Sequence, residues 1–293
     1  MESKELGPMI LMGRDFTSRE LEFIKEIVEL YPKLSRAELS KTICENISWQ
    51  APNGKNKHNS CLRALEKLED EGYLKLPPLH ITKHCRKRKI DITERTDPGE
   101  SIQGRVDRYG KIKISKGKAE TTGLWNEYVQ RYHYLGYRAP FGLHQKYFIT
   151  GHRDQILGCI LYSSSSWALE CRDQWIGWAS GQRVRNLYRV INNSRFLILP
   201  WVHLKNLASH ALSLAQKQVV CDWEVKFGYK PVLIETFVDP DFFRGTCYRA
   251  GNWKFIGKTK GRGRDDRYHQ WLSSTKEVYV YILSANFRQE LFR

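Results

Sequence analysis

No stretch of the 293 residues approaches the ~20 uninterrupted apolar residues that span a bilayer, and the amino terminus carries no apolar run behind basic residues. No membrane association is therefore expected, and the chain reads as cytoplasmic. Seven cysteines (Cys44, Cys61, Cys85, Cys159, Cys171, Cys221 and Cys247) never fall in the short pairings of disulfide frameworks or zinc sites. Most should be small core residues. Acids are also in deficit, with 32 Asp and Glu against 48 Lys and Arg and a formal charge of +16. That imbalance points to a polyanionic partner, nucleic acid before a membrane surface, without separating DNA from RNA.

Residues 1–16 show no periodic pattern and are expected to be loosely held. Residues 17–78 read as a helical module. Thr17 and Ser35 each precede a glutamate, Glu20 and Glu38, by the three residues of a capping box, and Leu21, Ile24, Ile27 and Val28 recur at helical spacing. A third helix is predicted over Asn59 to Glu71 with Leu62, Leu65 and Leu68 inward, ended by Gly72. The outline is that of a plain or winged helix-turn-helix, whose third helix would offer Lys57 and Arg63 to DNA. A small protein-interaction domain has the same outline.

Residues 79–120 lose periodicity and gain the run Lys83-His84-Cys85-Arg86-Lys87-Arg88-Lys89, the pattern of a basic linker, with a small hairpin turned by Asp107 to Lys111. From 121 to 293 the pattern is α/β (α+β). A helix is predicted at Leu124 to Tyr132, two adjacent strands at Tyr147 to Thr150 and Ile156 to Ser163, a turn at Asn192-Asn193-Ser194, and a strand at Phe196 to Leu199. A long helix from His203 to Phe227 and a buried strand from Pro231 to Val238 follow.

That order of strand, long helix, strand, short helix around Tyr248 and final hairpin resembles the second half of the GNAT acyltransferase fold. More specifically, Tyr132-His133-Tyr134-Leu135-Gly136-Tyr137, Arg172-Asp173-Gln174-Trp175-Ile176-Gly177-Trp178, Asn192-Asn193-Ser194-Arg195-Phe196, Leu207-Ala208-Ser209-His210 and Gly245-Thr246-Cys247-Tyr248-Arg249 resemble the family of the Druantia anti-phage protein DruA. The likeness runs over about residues 17 to 283. It implies a winged-helix-like module followed by a GNAT-like mixed-sheet domain, in a phage-defence protein or a transposase-associated protein of a mobile element. The GNAT turn that binds acyl-CoA is glycine-rich, whereas Pro200 to Ala208 contains no glycine to let the backbone approach a pyrophosphate. Acyl-CoA is therefore not the expected ligand.

Phosphodiester chemistry needs a nucleophile, cations for the phosphate and commonly carboxylate-held metal. Tyr248 is the candidate nucleophile. Glu235 and Asp239 are the candidate ligands for Mg²⁺ or Mn²⁺, with Asp173 as a further acid; the first two, four apart, share a side if the strand ends near Val238 and turns. Arg172, Arg183, Arg249, Lys258, Lys260, Arg262 and Arg264 are candidates for phosphate, the last four interspersed with Gly257, Gly261 and Gly263 in Lys254 to Arg267. Trp175, Trp178 and Trp253 are candidates for stacking on unpaired bases. Each also suits a packing role, Cys247 a structural one, and His133, His203 and His210 stand too far apart to suggest a metal trio. The expected function is DNA binding with metal-dependent strand cleavage or transfer. The expected partners are DNA, single-stranded included, and defence or mobile-element proteins, with oligomers allowed. Two alternatives remain: an acyl or related transferase acting on DNA or protein, and a non-catalytic DNA-binding adaptor.

Overall fold

The computed structural model describes residues 7–32, 34–78, 90–140, 142–167, 169–261 and 274–293. It divides into two units, one of residues 1–88 with 179–186 and 225–229, the other of the remainder.

The first unit opens with a hairpin, β1 (Met9–Leu11) and β2 (Arg14–Phe16), where a loose terminus was expected. Met12 and Gly13 both have positive φ, 48° and 78°, as a two-residue hairpin turn requires, and a Cβ on Gly13 would sit 2.8 Å from the Val184 carbonyl oxygen. Three-residue strands are too short to show alternation in sequence. Their inward residues, Leu11 and Phe16, join the helical core, and Phe16 meets Trp49 edge to face at 5.1 Å.

Both capping boxes form. Thr17 Oγ1 accepts Glu20 N–H at 3.2 Å to start α1 (Ser18–Leu30), and Ser35 Oγ accepts Glu38 N–H at 3.3 Å to start α2 (Arg36–Asn46). The third helix, α3 (His58–Asp70), packs Cys61, Ala64, Leu65 and Leu68 against the buried faces of α1 and α2. Among the described residues no strand follows α3, so the only hairpin of this unit precedes its helices.

The second unit begins where a linker was expected. Residues 79–89 lie outside the described residues, but 90–120 are built into the fold. The buried Glu127 carboxylate accepts the hydroxyls of Thr93 (2.9 Å) and Thr96 (2.8 Å), tying residues 93–97 to α5 (Thr122–Tyr132). The predicted hairpin is absent. In its place β3 (Ile102–Arg105) leads into a single helical turn, α4 (Val106–Tyr109), and then β4 (Lys113–Lys116). β4 is the edge strand of a seven-stranded sheet, a partnership that short-range pattern cannot show.

In chain order the sheet takes β4, β5 (His144–Thr150), β6 (Ile156–Ser164), β7 (Val190–Ile198), β9 (Leu233–Val238), β10 (Lys254–Lys258) and β11 (Glu277–Ile282), and in space β10-β11-β9-β7-β6-β5-β4. The omitted strand, β8 (Val202–Lys205), pairs in parallel with β3. Within the large sheet only β7 and β9 are parallel, as their helical connection α8 (Leu207–Phe227) requires. The helix buries Leu207, Ala211, Ala215, Val219 and Trp223. It starts four residues later than the pattern suggested, leaving His203 on β8. Two short helices precede β7: α6 (Glu170–Ile176) and, within the first unit, α7 (Ser180–Asn186). α9 (Thr246–Ala250) follows β9, and α10 (Phe287–Leu291) closes the chain.

The largest departure concerns Asn192-Asn193-Ser194, expected as a turn. These residues lie inside β7, and Ser194 is the unpaired residue of a bulge between the pairs Tyr162↔Asn193 and Leu161↔Arg195. No helix among the described residues is long and apolar enough to cross a membrane.

Candidate functional site

β7 and β9 are in register for only three pairs, Val190↔Leu233, Ile191↔Ile234 and Asn192↔Glu235. Strand alternation then sends Asn192 and Glu235 to one face and Asn193 and Thr236 to the other. Polar side chains thus fill the sheet where its parallel strands part.

On the first face, Arg172 of α6 reaches Glu235 at 2.9 Å (Nη1 to Oε2), and both residues are completely buried. The same guanidinium donates to Asp173 Oδ1 through Nη2 at 2.8 Å and through Nε at 2.9 Å, and Trp178 Nε1 donates to that oxygen at 3.1 Å. Glu235 Oε1 accepts Ser166 N–H at 2.8 Å and Asn192 Nδ2 at 3.5 Å. Burial works against the Arg172 charge, but Glu235 and Asp173 outweigh it and hold its pKa above the ordinary value. Asp239, next on this face of the chain, accepts Ser274 Oγ at 2.7 Å and Asp241 N–H at 3.3 Å, with Lys276 Nζ 3.9 Å away.

Both carboxylates proposed for a divalent metal are thus committed to protein donors. Among the described residues no three His, Cys, Asp or Glu side chains are grouped to hold an ion. As folded, the Glu235 and Asp239 pair does not fit an open Mg²⁺ or Mn²⁺ site.

On the opposite face Tyr248 is buried. Its hydroxyl donates to Asn193 Oδ1 at 2.9 Å; Thr236 Oγ1, which donates to the Asn193 carbonyl at 3.0 Å, lies 3.4 Å from it. Asn193 Nδ2 in turn donates to the carbonyls of Leu161 and Arg195. Burial drives the Tyr248 phenol well above its ordinary pKa and lifts the Cys247 thiol to about 11. Neither group is presented as a nucleophile. Gly245, at the start of α9, has φ 64°, and a Cβ there would lie 2.9 Å from Tyr279 Oη, which sets how closely the short helix approaches the sheet.

The tryptophans proposed for base stacking serve the core. Trp178 and Trp253 are buried, and Trp175 stacks on Phe287 at 5.3 Å. The exposed rings are elsewhere. Backbone N–H groups of Phe242 and Phe243 both bond the Asp239 carbonyl, and the turn holds their rings 5.0 and 5.3 Å from Tyr134. Exposure is 38% for Tyr134, 64% for Phe242 and 51% for Phe243. Lys276 Nζ lies 6.0 Å from the Tyr134 ring centre.

Beside these rings Arg195 donates through Nε to the Gly136 carbonyl at 3.2 Å and through Nη1 to the Ser194 carbonyl at 2.7 Å, with no carboxylate partner among the described residues. Burial, and then Arg138, depress its pKa against the pull of Tyr134. Burial with Arg195 and Lys276 takes His133 down to about 4, so its ring is neutral at pH 7, and its Nδ1 accepts Leu135 N–H at 3.2 Å. The end of β9 is a cationic, aromatic corner. Sequence reasoning missed it because Tyr134 and Phe242 are far apart in the chain, although paired phenylalanines in the polar turn Asp239-Pro240-Asp241-Phe242-Phe243-Arg244 had no periodic core role.

The remaining proposed cations are dispersed. Lys57 caps α3 with a pKa lowered by burial, Arg63 is exposed on α3, and Arg183 lies on α7, all in the first unit. In the second unit Lys258 and Lys260 are exposed at the end of β10, Lys260 pairing with Glu170, and Arg249 donates to the Arg244 carbonyl. Arg262 and Arg264 lie outside the described residues.

A cavity of about 440 Å³ runs beside the first turns of α8, lined by Asn206, Ser209, His210, Ser213, Gln216 and Tyr281 among others. Gln216 is buried and its Nε2 has no partner among the described residues. None of the lining residues is Lys or Arg, and the preceding segment is paired in the β3–β8 ladder, so an acyl-CoA pyrophosphate would find neither counter-charge nor a glycine turn.

Residues 67–291 match the family model described as Druantia protein DruA. The chain belongs to the DruA family. Four of the five sequence signatures converge on the parted strands: Arg172 and Trp178 through Asp173 and Glu235, Tyr248 through Asn193 of the Asn192–Phe196 segment, and the Tyr132–Tyr137 segment through the Arg195 to Gly136 bond. No curated protein matches the sequence.

Partial structural likenesses are to acetyltransferases. The spermidine/spermine N-acetyltransferase SpeG from Vibrio cholerae is 7% identical, over 61% of this chain and 96% of that one, with a TM-score of 0.39. A Bacillus subtilis acetyltransferase in complex with CoA is 9% identical, over 59% and 100%, at 0.35. Nourseothricin acetyltransferase is 12% identical, over 48% and 66%, at 0.31. For this DruA-family chain the mixed α/β class stands on the order of the large sheet, its one parallel pair, β7 with β9, and the helical connection between them.

Proposed function

We propose that this chain is the nucleic-acid-binding component of a phage-defence system or a related mobile element, and that its second unit holds the DNA. The family supports the defence setting. The observation that carries the binding is charge segregation: residues 1–78 contain 12 Lys and Arg against 13 Asp and Glu, so 36 and 19 fall in residues 79–293. Phosphate affinity follows local cation density; the second unit carries 29 Lys and Arg against 19 Asp and Glu, the seven other cations beyond residue 78 lying in 79–88, 179–186 and 225–229, and among the described residues Arg195 stands there without a counter-carboxylate. The helical module contributes no net positive field. Its third helix carries Arg63 and Lys67 against Glu66, Glu69 and Asp70, so any winged-helix contact reads DNA without attracting it.

The test uses the purified full chain with labelled single- and double-stranded DNA, at several salt concentrations, with and without Mg²⁺ or Mn²⁺. Affinity falling steeply with salt supports the reading, and nicks or covalent adducts would establish strand chemistry. No binding at low salt would refute it. Binding without cleavage would favour the adaptor.

A second reading, a transferase, would place its ligand in the cavity along α8, where Gln216 Nε2 has no partner among the described residues. If acyl-CoA raised the melting temperature and Gln216→Leu removed the effect, that reading would replace the first.

A further inference from the structure

We infer that Tyr134, Phe242 and Phe243 form a stacking platform for unpaired nucleobases, so that the nucleic acid held by the second unit is single-stranded at this point. The inference rests on the nucleic-acid reading above and names the substrate class of the corner at the end of β9.

Three observations bear on it. The rings are among the more exposed large apolar side chains of the chain, Phe242 at 64%, in a turn that holds its shape through backbone bonds to Asp239. Packing does not explain them there. Their planes are inclined by 39°, 68° and 42° to one another, so no ring lies flat on another, and at 38%, 64% and 51% exposure each keeps part of its surface open to solvent. Charge around them is of the sign a strand requires: Lys276 sits by the Tyr134 ring, Arg195 lies behind it, and Arg244 is exposed beside Phe243. Among the described residues the opposing acids are Asp239, already bonded to Ser274, and exposed Asp241.

Aromatic faces bind bases regardless of sequence, and cations alongside follow the phosphates. A duplex keeps its bases stacked on each other, so it can use the cations but not the rings. That difference separates this corner from a merely basic surface, which would take duplex and single strand alike.

The experiment measures anisotropy of a labelled oligothymidylate and of a hairpin duplex with the same number of phosphates, across a salt series, for the wild type, Phe242→Ala/Phe243→Ala and Lys276→Gln. Because both phenylalanines are exposed, the double variant should fold, and circular dichroism checks this. Expected is a loss of roughly tenfold or more for the single strand with unchanged salt slope and unchanged duplex affinity. Lys276→Gln should lower the slope by somewhat less than one for each probe. Equal losses on both probes, no loss on either, or a change of oligomeric state with single-strand affinity intact would overturn the platform while leaving nucleic-acid binding in place; the last result would mark a protein-docking face. Wild type that binds neither probe at low salt would instead refute the functional reading, and the platform with it.

Discussion

Replacing Arg172 by methionine tests how the parted strands are held. Its guanidinium and the Glu235 carboxylate are both fully buried and 2.9 Å apart, with Asp173, Ser166 and Trp178 completing the network. Methionine keeps most of the volume but leaves the buried Glu235 carboxylate without its charge partner. Removing one partner of a buried pair costs roughly 3–5 kcal/mol, which for a unit of this size lowers the melting temperature by roughly 10 °C. The double variant Arg172→Met/Glu235→Leu should recover most of that loss, because neither charge then remains to be desolvated. Urea unfolding of the wild type, both single variants and the double one gives the coupling energy, provided the slope of each transition is unchanged. An Arg172→Met cost below about 1 kcal/mol, or a double variant as unstable as the single, would refute the view that this pair is a closed structural clamp. It would reopen Glu235 as a functional carboxylate.

Three further outcomes are expected. His133 is held near 4 against an ordinary 6.5, so its neutral form is favoured by folding; that stability is complete above pH 6.5 and is lost as pH falls towards 4. After discounting for partial exposure the loss is about 2 kcal/mol, and His133→Gln should flatten the stability profile over that window. Gly245→Ala should destabilise by roughly 1–3 kcal/mol in the same unfolding assay, because φ is 64° and the new Cβ meets Tyr279 Oη. Arg262→Ala with Arg264→Ala should weaken DNA binding and reduce the salt slope by nearly two; an unchanged slope would remove both from phosphate contact.

Much of the architecture was legible because it is written locally. Thr17 with Glu20 and Ser35 with Glu38 specify helix starts within four residues, and the apolar run before Val238 specifies a buried strand whatever surrounds it. The polar triplet Asn192-Asn193-Ser194 reads as a turn by the same local logic. It becomes strand because its side chains find partners far along the chain, at Glu235, at Tyr248 and at the Leu161 carbonyl. Likewise Ile112 and Ile114 alternate as in a strand, but only the fold shows that the partner of β4 is β5 and not a hairpin mate.

The candidate site divides the same way. Sequence alone determined the net charge, its confinement to residues beyond 78, the family signatures and the glycine-free turn before the long helix. Only the tertiary structure decided what the aromatic and acidic residues are for. A tryptophan's exposure depends on the elements packed over it, so Trp175, Trp178 and Trp253 went to the interior while Tyr134, Phe242 and Phe243 were left outside. A carboxylate's availability depends on which donors fold against it, and Arg172 reached Glu235 across 63 residues of chain before any ligand could.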